Sequence, residues 1–454
     1  MDKKAFDYRK GWKNSSGNNE FDKKNDYVDF GTKRVSPDRY ISQDFMDNEW
    51  ENVWTKTWLM ACSSSDIKNL GDYFNFNIGK ESIIVMRSSE DSVSAFYNVC
   101  PHRGNKLFFD DFGFVKDIGC RFHGWKFNLD GTNKLVTDSE TYRHEVLCHD
   151  LDLTKVKVEE ECGFIWVSMS NDVPPVREYL GDVAEHLDLY NVKNMNVIRH
   201  VHSDWAANWK TGLEAFYESY HLSYIHPQTQ GMMEDYFMQM DTWDNGMNRM
   251  IVPFVEPAKR QEGSNLINDS TNIMLNDVGI DPNTFEGSPF EAKKAIQDKK
   301  REFSKSFDLD YERFTNEQLT DSFVYGIFPN VQLGCHPEGV FVHKFLPHPT
   351  NPEIFTYDTS INYRSVDDPN YNVPGWFGLP EETNTNGQVR PEIVRYGLGE
   401  KPDLGEVLEQ DSELIPFVQE GVRSKGFRGP LWSEQEIRLR HFHYELDRYL
   451  EIKN

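Results

Sequence analysis

Apolar and polar positions change rhythm several times along the 454 residues. As far as about residue 38 the chain is polar, rich in Lys, Asp, Asn and Gly, and without apolar periodicity. This predicts an extended arm over 1–39 that orders only against a neighbour. From Tyr73 to Val99, runs such as Tyr73-Phe74-Asn75-Phe76-Asn77-Ile78 and Ser82-Ile83-Ile84-Val85-Met86 are short, β-branched or aromatic, and separated by Gly71, Gly79 and polar turns. They read as short strands. Similar runs continue through Gly163-Phe164-Ile165-Trp166-Val167, so 40–170 is expected to be one mostly antiparallel β domain. Two prolines after a polar turn at Asn171 to Pro175 mark a boundary. Beyond it, helical spacing at 204–226 and 405–424 mixes with strand-like runs at 322–333, 339–346 and 354–363, which predicts an α+β domain over 171–454. The charged, weakly patterned stretch 257–320 reads as an insertion that covers or gates something.

Composition narrows the class of molecule. The net charge of -25 repels phosphate backbones and anionic lipid surfaces, so nucleic acid and membrane partners are not expected. No segment approaches the ~20 uninterrupted apolar residues of a membrane span, and the N-terminus lacks a basic-then-apolar secretory pattern, so a cytoplasmic enzyme is expected. Six scattered cysteines are few for a disulfide framework and direct attention to metal ligation.

Two of those cysteines stand in paired loops. Cys100-Pro101-His102-Arg103-Gly104 and Cys120-Arg121-Phe122-His123-Gly124-Trp125 each hold one thiolate and one imidazole, at C-x-H and C-x2-H spacing. Together they offer four ligands. A [2Fe-2S] centre with two Cys on one iron and two His on the other has a higher potential than the all-Cys kind, and Pro101, Gly104, Gly119 and Gly124 allow tight loops around its sulfurs. A structural zinc site also takes two Cys and two His, but usually as a Cys pair followed by a His pair.

A second constellation lies in the stretch from Asn208 to Pro227, with Glu218, His221 and His226. Two imidazoles five apart on an ideal helix lie about 140° apart, so the helix must break if both are to reach one ion. Pro227 disfavours the α conformation at His226 and supplies a reason. Two imidazoles plus a carboxylate form the facial triad of non-haem Fe(II) oxygenases. Asp411, in a late helical segment followed by Gln419 and Arg423, is the chosen carboxylate, with Glu409 and Glu413 as competitors. Glu218 opens a Glu-x-x-His unit of the di-iron type, but a di-iron site needs two such units and this one stands alone. Asn208 is taken as a further catalytic residue. A hydrogen-bonded histidine pair in a helix-rich core is the plainer alternative.

With both motifs in this order, the chain over about 40–454 resembles the alpha (large, catalytic) subunit of the Rieske non-haem iron ring-hydroxylating oxygenases. The resemblance implies an antiparallel β Rieske domain followed by an α+β catalytic domain, one [2Fe-2S] cluster on Cys100, His102, Cys120 and His123, and one Fe(II) on His221, His226 and Asp411. It also implies that Glu218 links His221 to His123 of a neighbouring chain. The family more often has Asp there. The implied activity uses dioxygen and electrons from NAD(P)H, delivered by a reductase with or without a ferredoxin, to dihydroxylate an organic, expectedly aromatic, substrate. Monooxygenation or oxidative demethylation of a quaternary amine remains open, as does a pure electron carrier. A homotrimer is implied, with or without a small beta subunit. Phe216, Tyr217, Phe323, Tyr325, Ile327, Phe328 and Val331 either line the substrate pocket or are ordinary core.

Overall fold

A computed structural model describes residues 24–452 except 262–266, 369, 381 and 382. The first 23 residues of the expected arm therefore lie outside the described residues. Residues 24–36 form no regular element and run over the chain's own second half: Tyr27 donates to Glu434 Oε2 at 3.0 Å and the Phe30 ring lies 5.0 Å from that of His441. Helical turns over 38–54 follow.

The first half is built of short strands that pair mostly with sequence neighbours. They are β1 Leu59–Ser63, β2 Asp72–Ile78, β3 Glu81–Ser89, β4 Ser92–Tyr97, β5 Phe112–Phe114, β6 Ile118–Gly119, β7 Lys126–Phe127, β8 Asn133–Leu135, β9 Lys157–Glu161 and β10 Phe164–Ser168. They form three antiparallel sheets, β4-β3-β2-β5, β6-β7-β8 and β1-β10-β9. From Val176 the chain turns helical.

The second half is organised by one eight-stranded sheet. Its strands are β11 Met195–Trp205, β12 Gln239–Thr242, β13 Asn248–Val252, β14 Ser322–Ile327, β15 Val331–Cys335, β16 Gly339–Pro347, β17 Phe355–Arg364 and β18 Val394–Tyr396, in the order β12-β13-β14-β15-β16-β17-β11-β18. All pairs are antiparallel except β11 with β18. The helix Trp209–Phe216 lies against this sheet so closely that a Cβ on Gly212 would meet the Phe355 ring at 2.3 Å. The helix expected over 204–226 is thus shorter and broken: 195–205 is strand, Trp209–Phe216 is helix, and a second helix, Leu222–Ile225, follows a non-helical turn. Residues 257–320 hold the helices Asp269–Asp277 and Pro289–Ser306, whose Leu275, Ala292 and Ile296 join a core with Met250 and Val252 of the sheet edge.

One continuous apolar core runs through both halves, from Phe76, Ile83 and Val167 to Trp205, Leu213 and Phe355. Burial on this scale, at about 25 cal/mol per Å² of apolar surface, ties the two sheet systems together.

Candidate metal centres

The two Cys-His loops fold by the same local rule. In each, the Cys N-H donates to the carbonyl five residues on (Asn105 and Trp125, both 2.8 Å), and the Gly N-H, from Gly104 at 3.0 Å or Gly124 at 2.9 Å, donates back to the Cys carbonyl. Both glycines have positive φ, 74° and 75°, a conformation that costs them nothing and would strain any side chain. The turns bury Cys100 and Cys120 and set the His102 and His123 rings 4.5 Å apart. Trp125 stacks on His102 at 4.9 Å, and Tyr142 Oη lies 3.3 Å from its Nε2.

Nδ1 of His102 and Nδ1 of His123 are buried without a hydrogen-bond partner. Buried polar atoms are nearly always satisfied, so two orphans beside two buried thiols fit ligation of a metal group. Burial, reinforced by the neighbouring Cys120, pushes the Cys100 thiol up to about 11. A cationic iron centre is what would hold it as thiolate.

The second centre is assembled from two helices. Glu218 sits in the turn after Phe216, where its carboxylate accepts from the backbone N-H groups of Tyr220 and His221 and from His221 Nδ1. That turn breaks the helix before His221. The second break is at His226, whose φ of −119° and ψ of 58° leave the α region ahead of Pro227. The two breaks bring the rings to 5.2 Å and 77°. The helix Glu406–Val422 then places Asp411 Oδ1 3.2 Å from His226 Nε2 and 3.9 Å from His221 Nε2. All three ligand atoms lie within 4.8 Å of one another, and His226 Nε2 is a buried orphan. The geometry fits one divalent ion.

The competitors for the carboxylate are occupied elsewhere. Glu409 and Glu413 pair with Lys401 at 3.1 and 3.5 Å. Asn208, expected as a further catalytic residue, caps the Trp209–Phe216 helix: its Oδ1 accepts from Lys210 N and its Nδ2 donates to Pro352 O. Phe323, Tyr325, Ile327 and Val331 belong to the core. A cavity of about 280 Å³ is walled by Phe341, Trp376, Phe377, Leu404 and Leu408, with Arg199 and Glu406 also in its lining. Leu408 stands one turn before Asp411 on the same helix.

Sequence reading missed Gln410, whose Oε1 lies 2.6 Å from His226 Nδ1. Adjacency to Asp411 was the available signal. It missed as well a second His-Asp group, His200, His202 and Asp358. There Lys344 Nζ lies 2.8 Å from Asp358, and Arg390 donates to His200 Nδ1 at 2.6 Å, which leaves the His200 Nε2 proton to bond Asp358. Cations already neutralise that carboxylate, so this group is an ion network where the two sheet systems meet.

Comparison with known proteins agrees with this geometry. The family model "Ring hydroxylating alpha subunit (catalytic domain)" matches residues 192–452, and "Rieske [2Fe-2S] domain" matches 57–147. The carnitine monooxygenase oxygenase subunit of Escherichia coli K12 is 29% identical over 289 residues, 62% of this chain and 75% of that protein. The glycine betaine monooxygenase oxygenase subunit of Pseudomonas aeruginosa is 29% identical over 189 residues, 42% of this chain. The aligned part spans 44% of that relative's length. A quaternary ammonium Rieske monooxygenase crystallised with L-carnitine superposes with TM-score 0.61 at 19% identity, covering 92% of this chain and 95% of the other. Naphthalene 1,2-dioxygenase with indole bound gives 0.63 at 18%, covering 93% and 95%.

Proposed function

The chain belongs to the ring-hydroxylating alpha-subunit family, whose catalytic-domain model spans more than half of it, and from that premise we propose that it is the oxygenase component of a Rieske non-haem iron system. The observation that carries this reading is the coexistence of two partly buried ligand sets, Cys100, His102, Cys120 and His123 in one half and His221, His226 and Asp411 in the other, each with an orphaned imidazole nitrogen. When bound, the cluster supplies one-electron transfer and the Fe(II) supplies dioxygen activation.

The chain's own residues prepare the site for that chemistry. Glu218 and Gln410 hold the Nδ1 protons of the two histidines, so that both Nε2 atoms face Asp411. Phe341, Trp376 and Phe377 wall the cavity and would offer aromatic faces to a substrate. Such faces suit a flat ring or, through cation–π attraction, a quaternary ammonium group. Aromatic dihydroxylation and quaternary-amine monooxygenation are thus supported about equally, and the carnitine and glycine betaine relatives bear on the second.

Head-to-tail packing of identical chains, as in a homotrimer, would let Glu218 join His221 to His123 of a neighbouring copy. Exposed aromatics surround both partners, Phe122 beside His123 and Tyr220 and Tyr224 beside His221. A reductase, with or without a ferredoxin, is the proposed electron source, and a cytoplasmic site of action is proposed with it; no helix of the described residues is long and apolar enough to cross a membrane. The test is mass spectrometry of products formed under ¹⁸O₂ from carnitine, glycine betaine and naphthalene by the iron-loaded protein with a reductase. Label in none of the products, or oxygen uptake that ignores added Fe(II), would defeat the reading.

A further inference from the structure

We propose that Gln410 is the positioning residue of His226, a neutral counterpart to the Glu218 carboxylate behind His221; the inference rests on His221, His226 and Asp411 being a metal set. His226 is fully buried, and Gln410 Oε1 receives two donors, His226 Nδ1-H at 2.6 Å and Gln228 Nε2-H at 2.9 Å. With Nε2 turned to Asp411 as a metal-ligand atom, His226 carries its proton on Nδ1, which requires an acceptor, and Gln410 Oε1 supplies it. With its proton held at Nδ1, His226 keeps the Nε2 lone pair free, 3.2 Å from Asp411 Oδ1 and with no hydrogen bond of its own.

Gln410 directly precedes Asp411, so a single turn of the Glu406–Val422 helix delivers both the third ligand and the group that aims the second. The two imidazoles are consequently unequal. The carboxylate partner of His221 makes that ring the more basic, whereas the amide partner of His226 orients without adding charge.

The test uses enzyme with its cluster retained and its mononuclear site stripped by a chelator, titrated with Fe(II), and with Co(II) as a spectroscopic probe. Gln410→Leu is expected to bind Fe(II) about 10- to 100-fold more weakly and to shift the Co(II) ligand-field bands, with cluster absorption and Tm unaltered. Gln410→Glu, which keeps the accepting oxygen, is expected to restore wild-type affinity. Affinity within about twofold of wild type in Gln410→Leu overturns the proposal, given the loss expected for such a partner. So does a loss in Gln410→Glu equal to that in Gln410→Leu, or a fall in Tm accompanied by cluster loss in both. Wild-type protein that takes up no Fe(II) where Asp411→Ala also takes up none would overturn the metal reading, and the proposal with it.

Discussion

Replacing Glu218 with Gln keeps an acceptor for His221 Nδ1 but removes the negative charge now shared among three donors. Both metals should stay bound in Glu218→Gln, while, on the proposed bridging role, single-turnover oxidation of the reduced cluster slows by about tenfold or more. Stopped-flow oxidation at the wild-type rate would refute the bridging role. Asp411→Ala removes a ligand outright, and mononuclear iron should fall by more than about tenfold with the cluster spectrum intact, as loss of a direct ligand exceeds loss of a supporting one. Unchanged iron stoichiometry by metal analysis would return the choice to Glu409 or Glu413. At this scale the sequence was most informative where ligands sit a few residues apart. The C-x-H and C-x2-H loops and the His221–His226 spacing were readable because local geometry alone constrains them, whereas Asp411 was a choice among three carboxylates that only the helix orientation resolves. The capping task of Asn208 was not legible because a helix cap and a catalytic amide look the same in a sequence.

Among the elements, the helix Glu406–Val422 is the one on which the mononuclear centre depends, and Gln419 fixes it in place. Buried Gln419 accepts from Asn208 N and Thr211 Oγ1 and donates to Tyr40 O and Glu353 Oε1. Gln419→Leu orphans several of these groups and should cost about 1–3 kcal/mol. At about 2–4 °C per kcal/mol for chains of 150–250 residues, calorimetry should show a Tm lower by a few degrees. An unchanged Tm would mean that water replaces the side chain without loss. The same helix was legible in outline, expected at 405–424, because its apolar spacing is regular. β11 was not, since buried polar residues, Asn196, His200 and Ser203, interrupt its apolar pattern, and a bulge interrupts its register between Val197 and Arg199. His200 is satisfied by Asp358 and Arg390, and Asp204 accepts from Thr356, all more than a hundred residues away. The break after Phe216 escaped notice for a related reason, as it is held by the Glu218 side chain and carries no proline.

For the molecule as a whole, the buried histidines set the response to acid. Burial pushes His186, His336 and His343 down to about 3 and His200 and His441 to about 4. Between those values and the ordinary 6.5 the unfolded chain binds protons that the fold refuses, so each ring removes up to about 1.4 kcal/mol per pH unit on acidification. Glu214, raised by burial to about 8, and Asp321, raised by burial to about 7, act in the opposite sense, with a contribution complete below their unfolded values and lost as pH rises through the folded ones. The rings outnumber these carboxyls, so Tm should decline as pH drops from 7 to 5. A flat profile in scanning calorimetry would show that the rings are protonated in the fold. At this scale the two-part plan was readable from the change of rhythm near residue 171. The strand order that inserts β11 between β17 and β18 was not, because such pairing joins segments about 160–190 residues apart.

The matching backbone bonds that close the Cys100 and Cys120 loops involve no atom that a cluster would ligate. Each turn is therefore held by its main chain, so replacing a ligand side chain there leaves those bonds available.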